Sequence, residues 1–323
     1  MHTQSYGNDD LDLVVVSKVS IAAGIILLAL QDSQGRPLPP WQPGSHIDLV
    51  LGENLVRQYS LCGDPAKNQE YVVAVQREPH GRGGSIRVHD DIVVGARVRV
   101  RGPRNNFRLV DARSYLFIAG GIGITPLLPM IAAVAARGLS WNLAYGGRER
   151  GTMAFLNELT AHGRSVLIFP EDEVGRLDVP AILDGMPAPE ETAVYCCGPE
   201  PLLNIVESEC ATRGLALHLE RFAPKADVSP AQNQNQPFEV ELARSGSVVP
   251  VGADETILSA LKTAGVFVPT SCEEGVCGTC ETAVIDGVPD HRDSLLDAEE
   301  RAANDTVLIC VSRSLTSRLV LDL

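Results

Sequence analysis

Basic residues are scarce in this chain. Lys and Arg number 27 against 41 Asp and Glu, a formal net charge of −14, and that balance argues against nucleic acid or an anionic membrane as a partner. It fits docking on a basic or mixed protein surface, and it fits equally an acidity that only keeps the chain dispersed. Long apolar runs are absent as well. The run from Ile21 to Leu30 is followed at once by polar residues; it is too short to cross a bilayer and suits a strand. Residues 1–10 are polar and acidic, without the basic region of an export signal. The expectation is a cytoplasmic, reducing location, where clustered cysteines point to metal or catalysis rather than disulfides. No internal repeat is present. Aromatics are few, at 5%, but 45% hydrophobic and 21% charged residues are ordinary for a globular protein. A length of 323 residues implies two or three cores rather than one.

The chain changes character along its length. Residues 11–110 read as short strands separated by turn signals, such as Asp32 to Gly35 and Pro37 to Pro40, a pattern that suggests an antiparallel β-barrel. From residue 111 to 223 the rhythm becomes α/β. Apolar strands at Tyr115–Ala119, Trp141–Tyr145, Val166–Phe169, Ala193–Cys197 and Leu215–Leu219 alternate with helical stretches at 126–137, 153–162 and 199–213, which implies a parallel sheet. Residues 224–236, rich in Gln and Asn, have little to bury and read as a linker. Residues 237–323 begin again with strands at 238–243 and 248–251 and a helix at 256–264. This segment has 15 acidic and 6 basic residues, so it carries −9 of the total charge.

Eight cysteines are present: Cys62, Cys196, Cys197, Cys210, Cys272, Cys277, Cys280 and Cys310. The last four are spaced C-x4-C-x2-C with a distant fourth, the spacing of plant-type [2Fe–2S] ligation. Two irons need four thiolates, three of them from one tightly curled loop. Gly275 and Gly278 suit that loop because glycine tolerates positive φ and lets backbone N–H groups approach sulfur. A zinc site is the rival, but it normally shows two short Cys or His pairs. Cys62 and Cys210 read as buried structural thiols.

Two motifs lie in the barrel region. In Arg57-Gln58-Tyr59-Ser60, the tyrosine can lie flat on a planar ring, Ser60 can hydrogen-bond its polar edge, and Arg57 supplies charge for a phosphate. In Gly81-Arg82-Gly83-Gly84-Ser85, Arg82 adds a second charge, and Gly83, Gly84 and Ser85 open a helix toward the same anion. Alone, either motif also fits a solvated strand or turn. In the α/β region, Gly120 to Pro126 follows a strand and precedes a helix. There Gly121 and Gly123 permit close approach to a pyrophosphate, and Thr125 suits the helix N-cap with Pro126 behind it. Tyr145 to Arg148 and Cys196-Cys197-Gly198-Pro199 end two further strands on the same side. Cys197 stands there either as a site residue or as a buried structural thiol.

The order of these motifs resembles the phthalate dioxygenase reductase family, including vanillate O-demethylase reductases, from about residue 11 to the C-terminus. The resemblance implies an FMN-binding β-barrel (11–110), an α/β NAD-binding domain of the ferredoxin-reductase type (111–223) and a β-grasp plant-type ferredoxin (237–323). It implies FMN held by Arg57, Tyr59, Ser60, Arg82, Gly83, Gly84 and Ser85, with Arg82 favouring FMN over FAD. By the same resemblance, Gly121, Gly123, Thr125 and Gly198 lie along NADH. Cys197 sits near the nicotinamide ring, and Phe222 lies beside the flavin, a place it shares with a simpler role in packing. Cys272, Cys277, Cys280 and Cys310 hold the cluster. The implied activity is hydride transfer from NADH to FMN, then single-electron transfer through the cluster to a Rieske-type non-haem iron oxygenase, the protein acting as a monomer. NADH is expected over NADPH, although Arg148 and Arg150 are placed to meet a 2′-phosphate. An FAD-type reductase and a pure electron carrier with an idle nucleotide domain are the alternatives.

Overall fold

The computed structural model describes residues 10–52, 55–186, 188–225 and 235–323, so the centre of the linker expected at 224–236 lies outside the described residues. The chain divides into two compact units, residues 1–220 and 221–323.

The first unit opens with strands β1 (Leu11–Ala22), β2 (Ile25–Asp32), β3 (His46–Gly52), β4 (Leu55–Ser60) and β5 (Tyr71–Gln76), then helix α1 (Gly84–Asp90) and strand β6 (Arg97–Arg104). The strands pair in the order β4-β3-β6-β1-β2-β5, every ladder antiparallel. A bridge from Leu61 to Val73 joins the two ends of the sheet. Register shifts at Val15/Ser17, Ser20/Ala22 and Val50/Gly52 bend the strands toward closure. These strands enclose an interior of Leu13, Val15, Leu28, Leu30, Ile47, Leu49, Val98 and Val100, all buried. Helix α1 is fixed to this wall by Lys18, whose ammonium donates to the carbonyls of Val88 (3.2 Å), His89 (2.6 Å) and Ile92 (2.6 Å). A cation at that end satisfies the orphan carbonyls and complements the helix dipole.

The same unit continues as β7 (Ser114–Gly120), α2 (Leu127–Ala136), β8 (Ser140–Gly147), α3 (Leu156–Thr160), β9 (Val166–Pro170), α4 (Glu171–Val174), α5 (Val179–Asp184), β10 (Thr192–Cys197), α6 (Glu200–Arg213) and β11 (Leu217–Glu220). The sheet order is β11-β10-β7-β8-β9, all parallel. Strand β10 is buried at every position and β7 at all but its first, because both faces are covered. Helix α2 packs on one face with Phe117, Leu143 and Tyr195; α5 and α6 pack on the other with Leu116, Ile118 and Val194. Two expectations need correction. The helix read over 153–162 begins only at Leu156, because Phe155 stands in the left-handed region at φ 63°. Thr125 does not cap α2. Pro126 holds that position, while the Thr125 hydroxyl donates to the Ile122 carbonyl at 2.9 Å and closes a 3-10 turn at Gly121–Ile124.

The second unit contains β12 (Phe238–Leu242), β13 (Ser247–Val251), α7 (Ile257–Thr263), β14 (Glu281–Asp286), β15 (Pro289–Asp290), α8 (Ala298–Ala303), β16 (Thr306–Leu308), β17 (Arg313–Ser314) and β18 (Arg318–Leu321). Its main sheet runs β13-β12-β18-β14-β16, with β12 and β18 parallel. Helix α7, closed by a capping box between Thr256 and Ser259, lays Ile257, Leu258 and Leu261 on that sheet. This is the β-grasp arrangement.

Replacing Lys18 with Met strips three charge-assisted hydrogen bonds from the end of α1. The expected cost is about 1–2 kcal/mol, seen as a lower urea midpoint with an unchanged m-value. An unchanged midpoint would show that the lysine contributes nothing to holding the helix.

Candidate functional site

At the start of α1, Gly83 adopts φ +79° and no atom lies within 4 Å of where its Cβ would be. The aliphatic stem of Arg57 lies across Gly84, where a Cβ would stand 2.4 Å from the arginine Cγ. The Arg57 guanidinium donates to the carbonyls of Val56 (2.7 Å) and Arg82 (3.0 Å). A fixed cation therefore stands beside an open helix start, an arrangement that fits a phosphate. Ser85 accepts the Glu78 N–H at 3.0 Å, which ties the start of the helix to the strand side of the barrel. Tyr59 and Arg57 share one face of β4, opposite Ile47 and Leu49 in the register. Tyr59 is half-buried, and burial holds its phenol above the ordinary value.

Ser60, on the other face of β4, is buried and reaches Glu220 at the carboxyl end of β11, Oγ to Oε2 3.4 Å. Glu220 pairs in register with Cys197 at the end of β10. Burial pushes the Glu220 carboxyl up to about 8, with the Ser60 hydroxyl pulling the other way. The fully buried Cys197 thiol is pushed up by burial and then by the neighbouring carboxyl. At neutral pH the cluster thus contains a neutral acid, a hydroxyl and a protonated thiol. The barrel and the parallel sheet thus bring Ser60 and Cys197 each beside Glu220. Glu220 was not singled out from the sequence, and its one signal was an acid on the last residue of the final strand. Phe222, two residues further on, is 44% exposed.

The turn after β7 is pressed against the turn after β10. A Cβ on Gly123 would stand 2.3 Å from the Cys197 carbonyl oxygen, and one on Gly120 would stand 2.6 Å from the Pro199 ring. A Cβ on Gly198 would stand 3.0 Å from the Gly120 backbone. The result is a floor of bare backbone at the carboxyl ends of the strands, where parallel sheets bind dinucleotides. On the far side of this floor lie the ends of β8 and β9. Arg150 is there, but Glu173 holds it in a two-pronged pair at 3.0 and 2.7 Å, and Arg176 is paired with Glu171 at 2.8 Å.

In the second unit, Cys272 lies within hydrogen-bonding reach of Cys277, and Cys280 within reach of Cys310. Within each pair the mutual hydrogen bond lowers one thiol, Cys277 or Cys280, and raises its partner, Cys272 or Cys310. Among the described residues no three His, Cys, Asp or Glu side chains close on a single ion. Four thiols in two pairs could serve either metal, and it is the C-x4-C-x2-C spacing with a distant fourth cysteine that marks a plant-type two-iron site. The loop curls through positive φ at Glu273, Gly275 and Gly278. The N–H groups of Glu274 (3.3 Å) and Thr279 (3.4 Å) point at the sulfurs of Cys272 and Cys277. Cys62 and Cys210 take no part in any of these clusters; burial raises their thiols to about 12 and about 11.

Residues 240–315 match the family described as 2Fe-2S iron-sulfur cluster binding domain. The phenoxybenzoate dioxygenase subunit beta of Ectopseudomonas oleovorans is 45% identical, over 100% of this chain and 96% of that one. The crystal structure of phthalate dioxygenase reductase, described as a modular structure for electron transfer from pyridine nucleotides to [2Fe–2S], is 39% identical. It covers 97% of this chain and 98% of that chain, with a TM-score of 0.69. An intact type IV self-sufficient cytochrome P450 monooxygenase is 44% identical with a TM-score of 0.90, over 97% of this chain; the chain spans 41% of that longer protein. Barrel, parallel sheet and thiol-bearing β-grasp unit together define a pyridine-nucleotide-dependent flavin and iron–sulfur reductase. The chain belongs to the phthalate dioxygenase reductase family.

A carboxyl whose native value is raised from 4.5 to about 8 keeps a proton that the unfolded chain releases. Stability from this group is therefore full below the unfolded value and falls as pH rises toward the native one. Glu220→Gln removes that dependence. The urea midpoint of the variant should gain on that of the parent between about pH 5 and about pH 8; a difference that stays flat would mean Glu220 is ionised throughout.

Proposed function

We infer that this chain is the reductase component of an oxygenase system, taking a hydride from NADH onto FMN and passing single electrons through a [2Fe–2S] cluster to a Rieske-type non-haem iron oxygenase. The observation that carries it is the two-plus-two pairing of Cys272 with Cys277 and Cys280 with Cys310 in the same chain as the glycine floor and the Ser60–Glu220 contact. When bound, the flavin and the cluster convert a two-electron donor into one-electron transfers, which a hydride donor and an iron–sulfur centre cannot manage directly.

The protein's own part is binding and placement. Arg57, Arg82, Gly83, Gly84 and Ser85 hold the FMN phosphate, and Tyr59 offers its ring face. Ser60 meets the polar edge of the flavin, with its hydroxyl oriented by neutral Glu220. Gly121, Gly123, Thr125 and Gly198 supply close backbone for the NADH pyrophosphate. Cys197 crowds the nicotinamide end without adding charge, and Phe222 covers the flavin. Residues 11–110 form the FMN domain, 111–223 the NAD domain and 237–323 the ferredoxin, working as a monomer in the cytoplasm. No described helix is long and apolar enough to cross a membrane. The 44% identity to part of a self-sufficient cytochrome P450 favours a haem as the second class of acceptor. NADH-driven reduction of a purified Rieske oxygenase, set beside a P450 haem domain, separates the two.

Cys277→Ser tests the division of labour. With FMN still bound, NADH should bleach the flavin in stopped flow at an undiminished rate, while reduction of cytochrome c is lost. Loss of flavin bleaching would break the scheme. Coenzyme choice gives a second test, because the adenosine end lies on the side of β8 and β9, away from Ser60 and Glu220. Arg150 is held by Glu173, which competes with a 2′-phosphate for it. Glu173→Gln should raise the NADPH-to-NADH ratio of kcat/KM about fivefold, the scale of one exposed charge pair at ~1 kcal/mol. An unmoved ratio would place the selector elsewhere.

A further inference from the structure

A buried carboxylate stands directly behind the cysteine loop. Asp293 is fully buried. Its Oδ2 accepts the N–H groups of Leu295 (3.1 Å) and Leu296 (2.8 Å). Its Oδ1 has no hydrogen-bond partner among the described residues and faces the Nδ1 of His291 at 3.8 Å. Arg301 donates to the Asp293 carbonyl at 2.6 Å and stands 3.6 Å from Oδ2.

The turn over 293–296 does not require a charge, since an asparagine oxygen accepts the same two N–H groups. Removing a carboxylate from water costs several kcal/mol unless something offsets it. The charge is therefore surplus to the turn and sits where it is felt by the loop. Gly275, between Cys272 and Cys277, packs so tightly on Asp293 that a Cβ there would stand 3.0 Å from the Asp293 Cα. The Ser294 N–H donates to the Gly275 carbonyl at 2.9 Å. Asp293 thus packs directly on the loop that carries Cys272 and Cys277, with the partly exposed Arg301 guanidinium 3.6 Å from its carboxylate.

We propose that Asp293 and Arg301 are opposed positioning residues that set the electron affinity of the cluster held by this loop, the carboxylate lowering it and the guanidinium raising it. The inference rests on the cluster reading above. An added electron is repelled by the buried carboxylate and attracted by the cation, and charges in a water-poor environment act more strongly than exposed ones. Arg301, being more exposed, has the smaller effect.

The test is a dithionite titration of full-length protein, followed by the rhombic EPR signal, with iron content measured in each variant. Asp293→Asn keeps the turn and removes the charge. It should favour cluster reduction about tenfold, an upward shift of about 59 mV for one electron. Arg301→Gln should shift the potential downward by a smaller amount, and Arg301→Lys should restore it. A role in shape alone moves both neutral variants the same way, so shifts of equal sign, or none, in iron-loaded protein overturn the proposal. If Asp293→Asn fails to retain iron, the Arg301 arm decides, and an unshifted Arg301→Gln overturns it. Parent protein with neither iron nor a rhombic signal would instead overturn the cluster reading itself.

Discussion

The first unit depends on two backbone turns meeting without side chains between them. Because Gly123 abuts the Cys197 carbonyl and Gly120 abuts Pro199, the turns after β7 and β10 form one continuous surface of peptide groups. Any Cβ at Gly123 would drive into backbone, which cannot move aside as a flexible side chain does. That contact aligns the carboxyl ends of β7 and β10. It also fixes Cys197, and through the β10–β11 register it sets Glu220 against Ser60 of the barrel.

The handling of charge follows from this packing. At the seam of barrel and sheet the half-buried acid is kept neutral, the thiol protonated and the hydroxyl partnered, so the site holds little net charge of its own. At the start of α1 the opposite holds, with Arg57 pinned by two carbonyls beside an open helix end. At the far end of the sheet Arg150 and Arg176 are paired with Glu173 and Glu171, while Arg148 is exposed. One unit thus combines a cationic helix start, a seam of neutral groups and an outer edge where two arginines are paired. The β-grasp unit is different again. It is strongly acidic overall, and its cysteine loop is backed by the buried Asp293.

Much of this was legible in the chain. The spacing of Cys272, Cys277 and Cys280 is local, so it survives as a sequence pattern whatever the rest of the fold does. The alternation of β1, β2 and β3 and the unbroken apolar runs of β7 and β10 report how many faces of each strand are covered, which is a local consequence of burial. Where the reading failed, a single residue overrode the pattern. Phe155 in the left-handed region shortened α3, and Thr125 turned back to Ile122 instead of capping α2.

By itself the sequence determined in what order the three architectures follow and where the cysteine loop lies, because periodicity, glycine placement and cysteine spacing are properties of neighbouring residues. It did not determine which distant groups meet. Ser60 and Glu220 are 160 positions apart, and Asp293 meets Gly275 only because two loops of the β-grasp unit cross. Which thiol pairs with which, which arginine is already paired and which carboxyl is kept from water were decided only by tertiary packing. The reason is that burial and charge proximity are set by neighbours in space, to which chain periodicity is blind.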